Sequence, residues 1–134
     1  MVIVKEPYKF TIDADLKDAL QGLVEDEAQV IIHIHLHFRY TSCIRIWKST
    51  FLIPHNSATK INLAHAVNIS FFPKWKICKS GETVCTLFFK GLPKDCTEFD
   101  LAEEIPELGG FYFPNIKKNN SGVYHLQINY NSQI

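Results

Sequence analysis

The segment from Val30 to Phe38 reads Val-Ile-Ile-His-Ile-His-Leu-His-Phe and alternates in polarity with a period of two. Apolar side chains occupy its even positions, whereas histidines occupy positions 33, 35 and 37. Because successive side chains of a β-strand point to opposite faces, this pattern predicts a strand with one apolar and one imidazole face. The apolar face requires a partner layer, so this segment favours a β-sheet protein with a core.

Similar short alternating segments recur along the chain and are separated by turns that contain proline, glycine or asparagine. About seven to eight strands of this kind are typical of an all-β sandwich or barrel. Residues 83–90 are apolar on both faces, which predicts a strand that is covered on both sides. Strict alternation from Ile61 to Phe71 places His65 on the apolar face of its strand.

One segment near the N-terminus has a helical pattern instead. Four apolar residues recur at helical spacing after Asp13, which can cap a helix N-terminus, and they predict a short amphipathic helix over Ala14–Val24. We therefore expect a single β-sandwich domain over residues 1–134. Residues 1–28, the N-terminal strand and helix, are expected to pack on it as an extension.

Charge and targeting signals narrow the function classes. The 14 basic and 14 acidic residues give a formal charge of zero, which disfavours a nucleic-acid-binding protein. The N-terminus lacks a basic segment followed by an apolar stretch, and no apolar run is long enough to span a membrane. We expect a cytoplasmic protein that does not bind membranes and whose four cysteines are reduced thiols.

Three segments, Ile44–Ile53, Asn68–Trp75 and Leu87–Phe111, resemble a group of small, uncharacterised bacterial proteins with an immunoglobulin-like β-sandwich. The resemblance covers roughly residues 30–130. It implies an immunoglobulin-like antiparallel β-sandwich and a bacterial origin. No activity is known for the group, so the resemblance implies no catalytic residue.

The imidazole face of Val30–Phe38 is the first candidate site. Neutral imidazole is the commonest transition-metal ligand, and two neighbouring histidines, His33 and His35, could present nitrogens to one zinc or other transition-metal ion. His33 and His37 are about 13 Å apart along a strand, too far to share an ion, so the pair needs a third ligand such as His125, His65 or a carboxylate. The alternative is a row of structural histidines that are hydrogen-bonded to neighbours.

Aromatic residues interleaved with cations form the second candidate site. Trp47, Phe72 and Trp75 lie near Arg45 and several lysines, and Trp and Arg are enriched in the hot spots of protein interfaces. These three aromatic residues are the predicted partner-binding anchors. The alternatives are that the tryptophans belong to the core or that they stack on nucleic-acid bases.

The remaining signals do not point to catalysis. Of the six carboxylates between Asp95 and Glu107, Glu98, Asp100 and Glu104 fall opposite Phe99 and Leu101, which is the pattern of a solvated strand face. The chain has no Gly-x-Ser-x-Gly, His-Glu-x-x-His or P-loop motif. We therefore expect a non-catalytic binding or accessory module without a cofactor, acting through an unknown protein partner or as a homodimer. The alternatives, in order, are a metal-binding protein that uses the His-x-His face and a hydrolytic enzyme.

Overall fold

A computed structural model describes residues 2–5 and 29–130, and these residues contain strands but no helix, which confirms the all-β fold class. In chain order the strands are β1 (Val2–Lys5), β2 (Gln29–Phe38), β3 (Ser42–Ile46), β4 (Thr50–Pro54), β5 (Ile61–Val67), β6 (Ser70–Phe71), β7 (Lys76–Cys78), β8 (Gly81–Lys90), β9 (Glu98–Glu103), β10 (Tyr112–Lys117) and β11 (Val123–Tyr130). The helix predicted over Ala14–Val24 lies outside the described residues. Within those residues no helix has the length and apolar character needed to cross a membrane.

The strands form an eight-stranded sheet in the order β1-β11-β2-β8-β5-β4-β9-β10 and a three-stranded sheet in the order β6-β3-β7. Most neighbours are antiparallel, but β11 pairs with β2 and β3 pairs with β6 in parallel. Both sheets are therefore mixed, and the expectation of a purely antiparallel arrangement of seven or eight strands is wrong. β2 is paired on both sides, with β8 and with β11, over all residues from Ile31 to Phe38.

The large sheet curls so that strands far apart in its order face each other. Phe99 of β9 and Tyr124 of β11 meet edge to face with ring centroids 5.2 Å apart, although four strands lie between β9 and β11 in the sheet. Aromatic pairs favour this geometry. The concave side of the sheet holds a single apolar cluster, to which Ile44 and Ile46 of the small sheet also belong.

Burial of β2 and β8 follows the sequence pattern. The even positions of β2 from Val30 to Phe38 all lie in the apolar cluster, which confirms the predicted apolar face. On β8 the residues from Cys85 to Phe89 are buried without interruption, which confirms that this strand is covered on both faces. Both strands lie well inside the sheet, where a continuous run of buried residues is expected.

His65 does not lie on the apolar face, contrary to the expectation from strict alternation. β5 pairs Leu63 with Phe89 but His65 with Phe88, so Ala64 is an extra residue that bulges out of the register. One inserted residue reverses the face of every side chain that follows. His65 is consequently exposed, and Ala66 packs against the core in its place.

Leu87→Ala tests the position of the core. Leu87 is fully buried at the centre of the large sheet, so we expect truncation to lower the free energy of unfolding by about 2–5 kcal/mol. Leu108→Ala makes the same chemical change at a side chain that is 98% exposed and should leave stability almost unchanged. Urea denaturation of both variants gives the comparison, and equal losses would contradict this core.

Candidate functional site

The imidazole face of β2 is buried rather than solvated. His33 and His35 are both buried, and so is His125 of β11. The parallel pairing of β2 with β11 places His125 directly beside His33, and their rings stack with centroids 5.0 Å apart. The structure therefore groups three imidazoles, one of which comes from a strand at the other end of the chain.

Hydrogen bonds connect these imidazoles to the neighbouring strand β8. His35 Nδ1 lies 2.8 Å from Glu82 Oε2, and since an ionised carboxylate can only accept, His35 donates this bond. In neutral His35 the Nε2 atom is then an acceptor, so His125 Nδ1, 3.1 Å away, donates to it. His33 Nδ1 is 2.7 Å from the hydroxyl of Thr86, its cross-strand partner. These bonds engage both ring nitrogens of His35 and the Nδ1 atoms of His33 and His125, as expected for buried polar groups.

This network bears on the predicted metal ligands His33 and His35. Both ring nitrogens of His35 are already engaged, so coordination by His35 requires the loss of its bond to Glu82 or to His125. Among the described residues no group of three His, Cys, Asp or Glu side chains has an arrangement suited to a metal ion. The zinc site stays a prediction, and the geometry described above is that of a hydrogen-bonded layer.

The structure brings the residues of the second candidate site into contact with one another. Trp47 stacks on Phe72 with ring centroids 3.8 Å apart. The guanidinium group of Arg45 lies 4.7 Å from the Phe72 ring centroid and 3.9 Å from that of Trp75. Arg45 thus connects the three predicted anchors. We call these four residues the aromatic–arginine surface.

Alternation along β3 explains why this surface faces outward. Ile44 and Ile46 are buried in the core, so Arg45 and Trp47, which have the opposite parity, lie on the outer face of the small sheet. Phe72 and Trp75 follow β6 and precede β7, the two neighbours of β3, and they are 43% and 53% exposed. The aromatic rings are therefore held at the surface by the cation between them.

A pocket of about 160 Å³ lies beside the aromatic–arginine surface. Arg45, Trp47 and Trp75 line one side of it, and the end of β9 and the connection to β10 supply Glu103 and Leu108. The other lining residues are Cys43, Ile44, Ile105, Glu107, Gly109, Phe111 and Tyr130. The wall thus combines apolar side chains with the charged groups of Arg45, Glu103 and Glu107.

The carboxylate of Glu103 is hydrogen-bonded to residues on both sides of the pocket. Its Oε2 accepts a hydrogen bond from the backbone N–H of Trp47 at 2.8 Å, and its Oε1 accepts one from Phe111 N–H at 3.0 Å. Burial raises the pKa of Glu103 against the opposing effect of these two bonds. Glu103 is not one of the candidate residues singled out from the sequence, but its parity with Phe99 and Leu101, both core residues, is a signal that places it inward.

Two nitrogen donors at this pocket are buried. They are Nε of Arg45 and Nε1 of Trp47, and neither has a hydrogen-bond acceptor within the described part of the chain. Leaving a buried donor without an acceptor costs about 1–3 kcal/mol. The other nitrogens of Arg45 are engaged, since Nη2 lies 3.4 Å from Glu107 Oε2 and Nη1 lies 3.4 Å from the carbonyl oxygen of Pro73.

Other acidic residues of the 95–107 segment pair with cations. Asp100 Oδ1 is 2.8 Å from His55 Nε2, and this hydrogen bond raises the pKa of His55. Glu98 lies 3.4 Å from the other ring nitrogen of His55, and Glu104 is 2.7 Å from the ammonium group of Lys60. These pairs lie on a solvated face, and exposed ion pairs of this kind contribute little to stability.

The buried histidine layer predicts a pH dependence of stability. Burial, with smaller effects of His125 and His35, lowers the pKa of His33 from 6.5 to about 4. Between these values the unfolded chain binds a proton that the folded chain does not, so stability falls as the pH drops from 6.5 to about 4. The loss through His33 amounts to at most about 3 kcal/mol.

His33→Gln should remove the contribution of His33 protonation to the free energy of unfolding. The free energy of unfolding of the variant should therefore vary less between pH 6.5 and about 4 than that of the wild type. His65→Gln, at an exposed histidine, is the matched control and should keep the dependence of the wild type. Urea denaturation at a series of pH values gives both curves. If the free energy of unfolding of His33→Gln changes with pH as steeply as that of the wild type, His33 does not cause the pH dependence.

Arg45→Ala tests the packing of the aromatic–arginine surface. The variant loses cation–π contacts with two rings, and we expect a loss of about 1–2 kcal/mol in stability. Trp75 should become more accessible to water, which acrylamide quenching of tryptophan fluorescence measures. Arg39→Ala, at a guanidinium group that lies over Tyr40, is the control. If acrylamide quenches the tryptophan fluorescence of both variants equally, Arg45 does not shield Trp75 from water.

The aromatic–arginine surface and the pocket share Arg45, Trp47 and Trp75 and therefore form one continuous candidate binding site. Its inner wall includes the buried side of β3, and its outer rim includes the exposed Trp75 and Leu108. Comparison of the chain with protein-family models, with curated proteins and with solved structures finds no match.

Proposed function

We propose that this chain is a non-catalytic binding module that contacts a protein partner, or a second copy of itself, through the aromatic–arginine surface and the adjoining pocket. One observation carries the proposal. Of the seven large hydrophobic side chains that are exposed among the described residues, four lie at this site. They are Phe72, Trp75, Leu108 and Tyr130. Clusters of exposed apolar side chains mark interaction sites more often than scattered ones do.

The composition of the site supports protein recognition. Tryptophan, tyrosine and arginine dominate the hot spots of protein interfaces, and this site contains all three. Its anchors are also preorganised, because Arg45 holds Phe72 and Trp75 in fixed positions before any partner arrives. Preorganised side chains lose less conformational entropy on binding.

The chemistry of the pocket supports a non-catalytic role. Both carboxylates that line it are engaged: Glu103 accepts two backbone N–H groups and Glu107 lies beside Arg45. A general acid or base needs access to substrate protons. Metal binding at His33 and His35 is our second proposal. The grouping of these residues with His125 favours it, whereas the engaged nitrogens of His35 weigh against it.

We also propose the finer features that the sequence suggests, an immunoglobulin-like sandwich in a bacterial, cytoplasmic protein. Packing of the small sheet against the concave side of the large one supports a sandwich-like arrangement. A specific sandwich topology assigned to this chain must include the parallel pairing of β2 with β11.

Photocrosslinking tests the proposed function. A photoreactive amino acid in place of Leu108 should form a defined adduct, with a partner or with a second copy, in cells of the natural source. The adduct should disappear when Phe72 and Trp75 are also changed to serine. The same photoreactive residue in place of Asn62, which is exposed on β5, is the control for non-specific labelling.

Light scattering of the purified protein over a wide range of concentration completes this test. If the protein associates with itself, its average molar mass should rise with protein concentration. The molar mass of the Trp75→Ser variant should then stay constant. A protein that stays monomeric throughout, together with crosslinking at position 108 no stronger than at position 62, would refute the proposed function.

A further inference from the structure

The pocket offers space for a side chain of a ligand. Its wall contains apolar residues, among them Ile105, Leu108 and Trp75, together with the polar groups of Arg45, Glu103 and Glu107. Leu108 and Trp75 are exposed to solvent and can be contacted without a rearrangement of the chain. An apolar side chain of a ligand would cover them.

The charges around the site indicate the sign of the ligand. Residues 42–48 and 70–80, which form the small sheet and its connections, contain five cations and no acidic residue. The cations are Arg45, Lys48, Lys74, Lys76 and Lys79. Lys74 and Lys79 are exposed and lie close to Trp75 and Ile77 in sequence, and Ile77 is 68% exposed. A basic surface that surrounds exposed apolar side chains complements an acidic segment with an apolar residue.

Two carboxylates line the pocket, and both are already satisfied by donors of this chain. Glu107 lies 3.4 Å from Arg45, and Glu103 accepts two backbone hydrogen bonds while burial raises its pKa. The positive charge of the surrounding lysines is therefore not cancelled at the rim. A single-stranded nucleic acid is a poorer match, because the ring faces of Phe72 and Trp75 are occupied in part by the guanidinium group of Arg45.

We propose that the site binds an acidic peptide segment of a partner protein, with a large apolar side chain of the segment in the pocket and its carboxylates on the surrounding lysines. This proposal rests on the proposed function and names the chemistry of the partner. Leu108, at the rim of the pocket, and Ile77, on the neighbouring strand β7, contact the rest of the segment.

Intrinsic fluorescence measures this binding without a label, because the two tryptophans of the chain are Trp47 and Trp75. The probes are two synthetic peptides with the same central leucine, one between blocks of glutamate and one between blocks of lysine. We expect a saturable change in tryptophan emission with the glutamate peptide alone. Its affinity should fall as salt is raised, since salt screens charges at a solvent-exposed rim.

Charge reversal supplies matched variants. Lys74→Glu with Lys79→Glu should weaken binding of the glutamate peptide by at least about tenfold. Lys90→Glu with Lys117→Glu makes the same change at two exposed lysines outside the small sheet and should leave the affinity within about twofold of the wild type. Equal weakening by both double variants would show that only net charge matters and would overturn the proposal.

Other outcomes separate this proposal from the proposed function. An equal response to both peptides, or no response to either, overturns the acidic-peptide assignment. A response to oligothymidylate that the peptide does not compete for also overturns it. If Leu108 still crosslinks to a partner in any of these cases, the binding module stands and only its partner chemistry falls. If crosslinking and self-association are absent as well, both proposals fall.

Discussion

The rest of the structure depends on the pairing of β2 with a strand on each side. β8 and β11 pair with it from Ile31 to Phe38, so both of its edges are hydrogen-bonded. Its apolar side chains enter the core, whereas His33 and His35 are buried on the opposite face, where buried polar groups need hydrogen bonds. The neighbouring strands supply the required groups, a hydroxyl from Thr86, a carboxylate from Glu82 and an imidazole from His125.

The two faces of the small sheet differ in what they contact. Its inner face contributes Ile44 and Ile46 to the core that β2 anchors, and its outer face carries the aromatic–arginine surface. Arg45 keeps Phe72 and Trp75 apart from the core by stacking between them. Glu103 joins this sheet to the loop that forms the far wall of the pocket. A rigid scaffold and a surface site with exposed anchors are thus separated within one short chain.

Much of this could be predicted from local pattern, and the rest depends on distant pairing. The alternation of Val30–Phe38 sets the two faces of β2, and the proximity of Phe72 to Trp75 follows from the short connection between β6 and β7. Trp47 contacts Phe72 only because β3 pairs with β6 in parallel. Nothing local indicates that His125 lies beside His33, because that contact is fixed by a parallel pairing across the chain.

Single-residue irregularities limit prediction in the same way. The bulge at Ala64 reverses the face of His65, and no feature of the sequence marks that residue as the inserted one. The pocket is equally hidden from the sequence, since its two walls come from β3 and from the connection between β9 and β10. The one sequence signal for this wall is that Glu103 alternates in phase with Phe99 and Leu101 on β9, which places its side chain on the inner face of that strand.

Backbone amide hydrogen exchange tests most directly whether β2 holds the fold while the small sheet carries the site. We expect the amides of residues 31–38 to be among the slowest in the chain, exchanging only on global unfolding, and those of β6 and β7 to exchange through local opening. A result in which the β2 amides exchange as fast as those of β7 would contradict the central position of β2 and the account built on it.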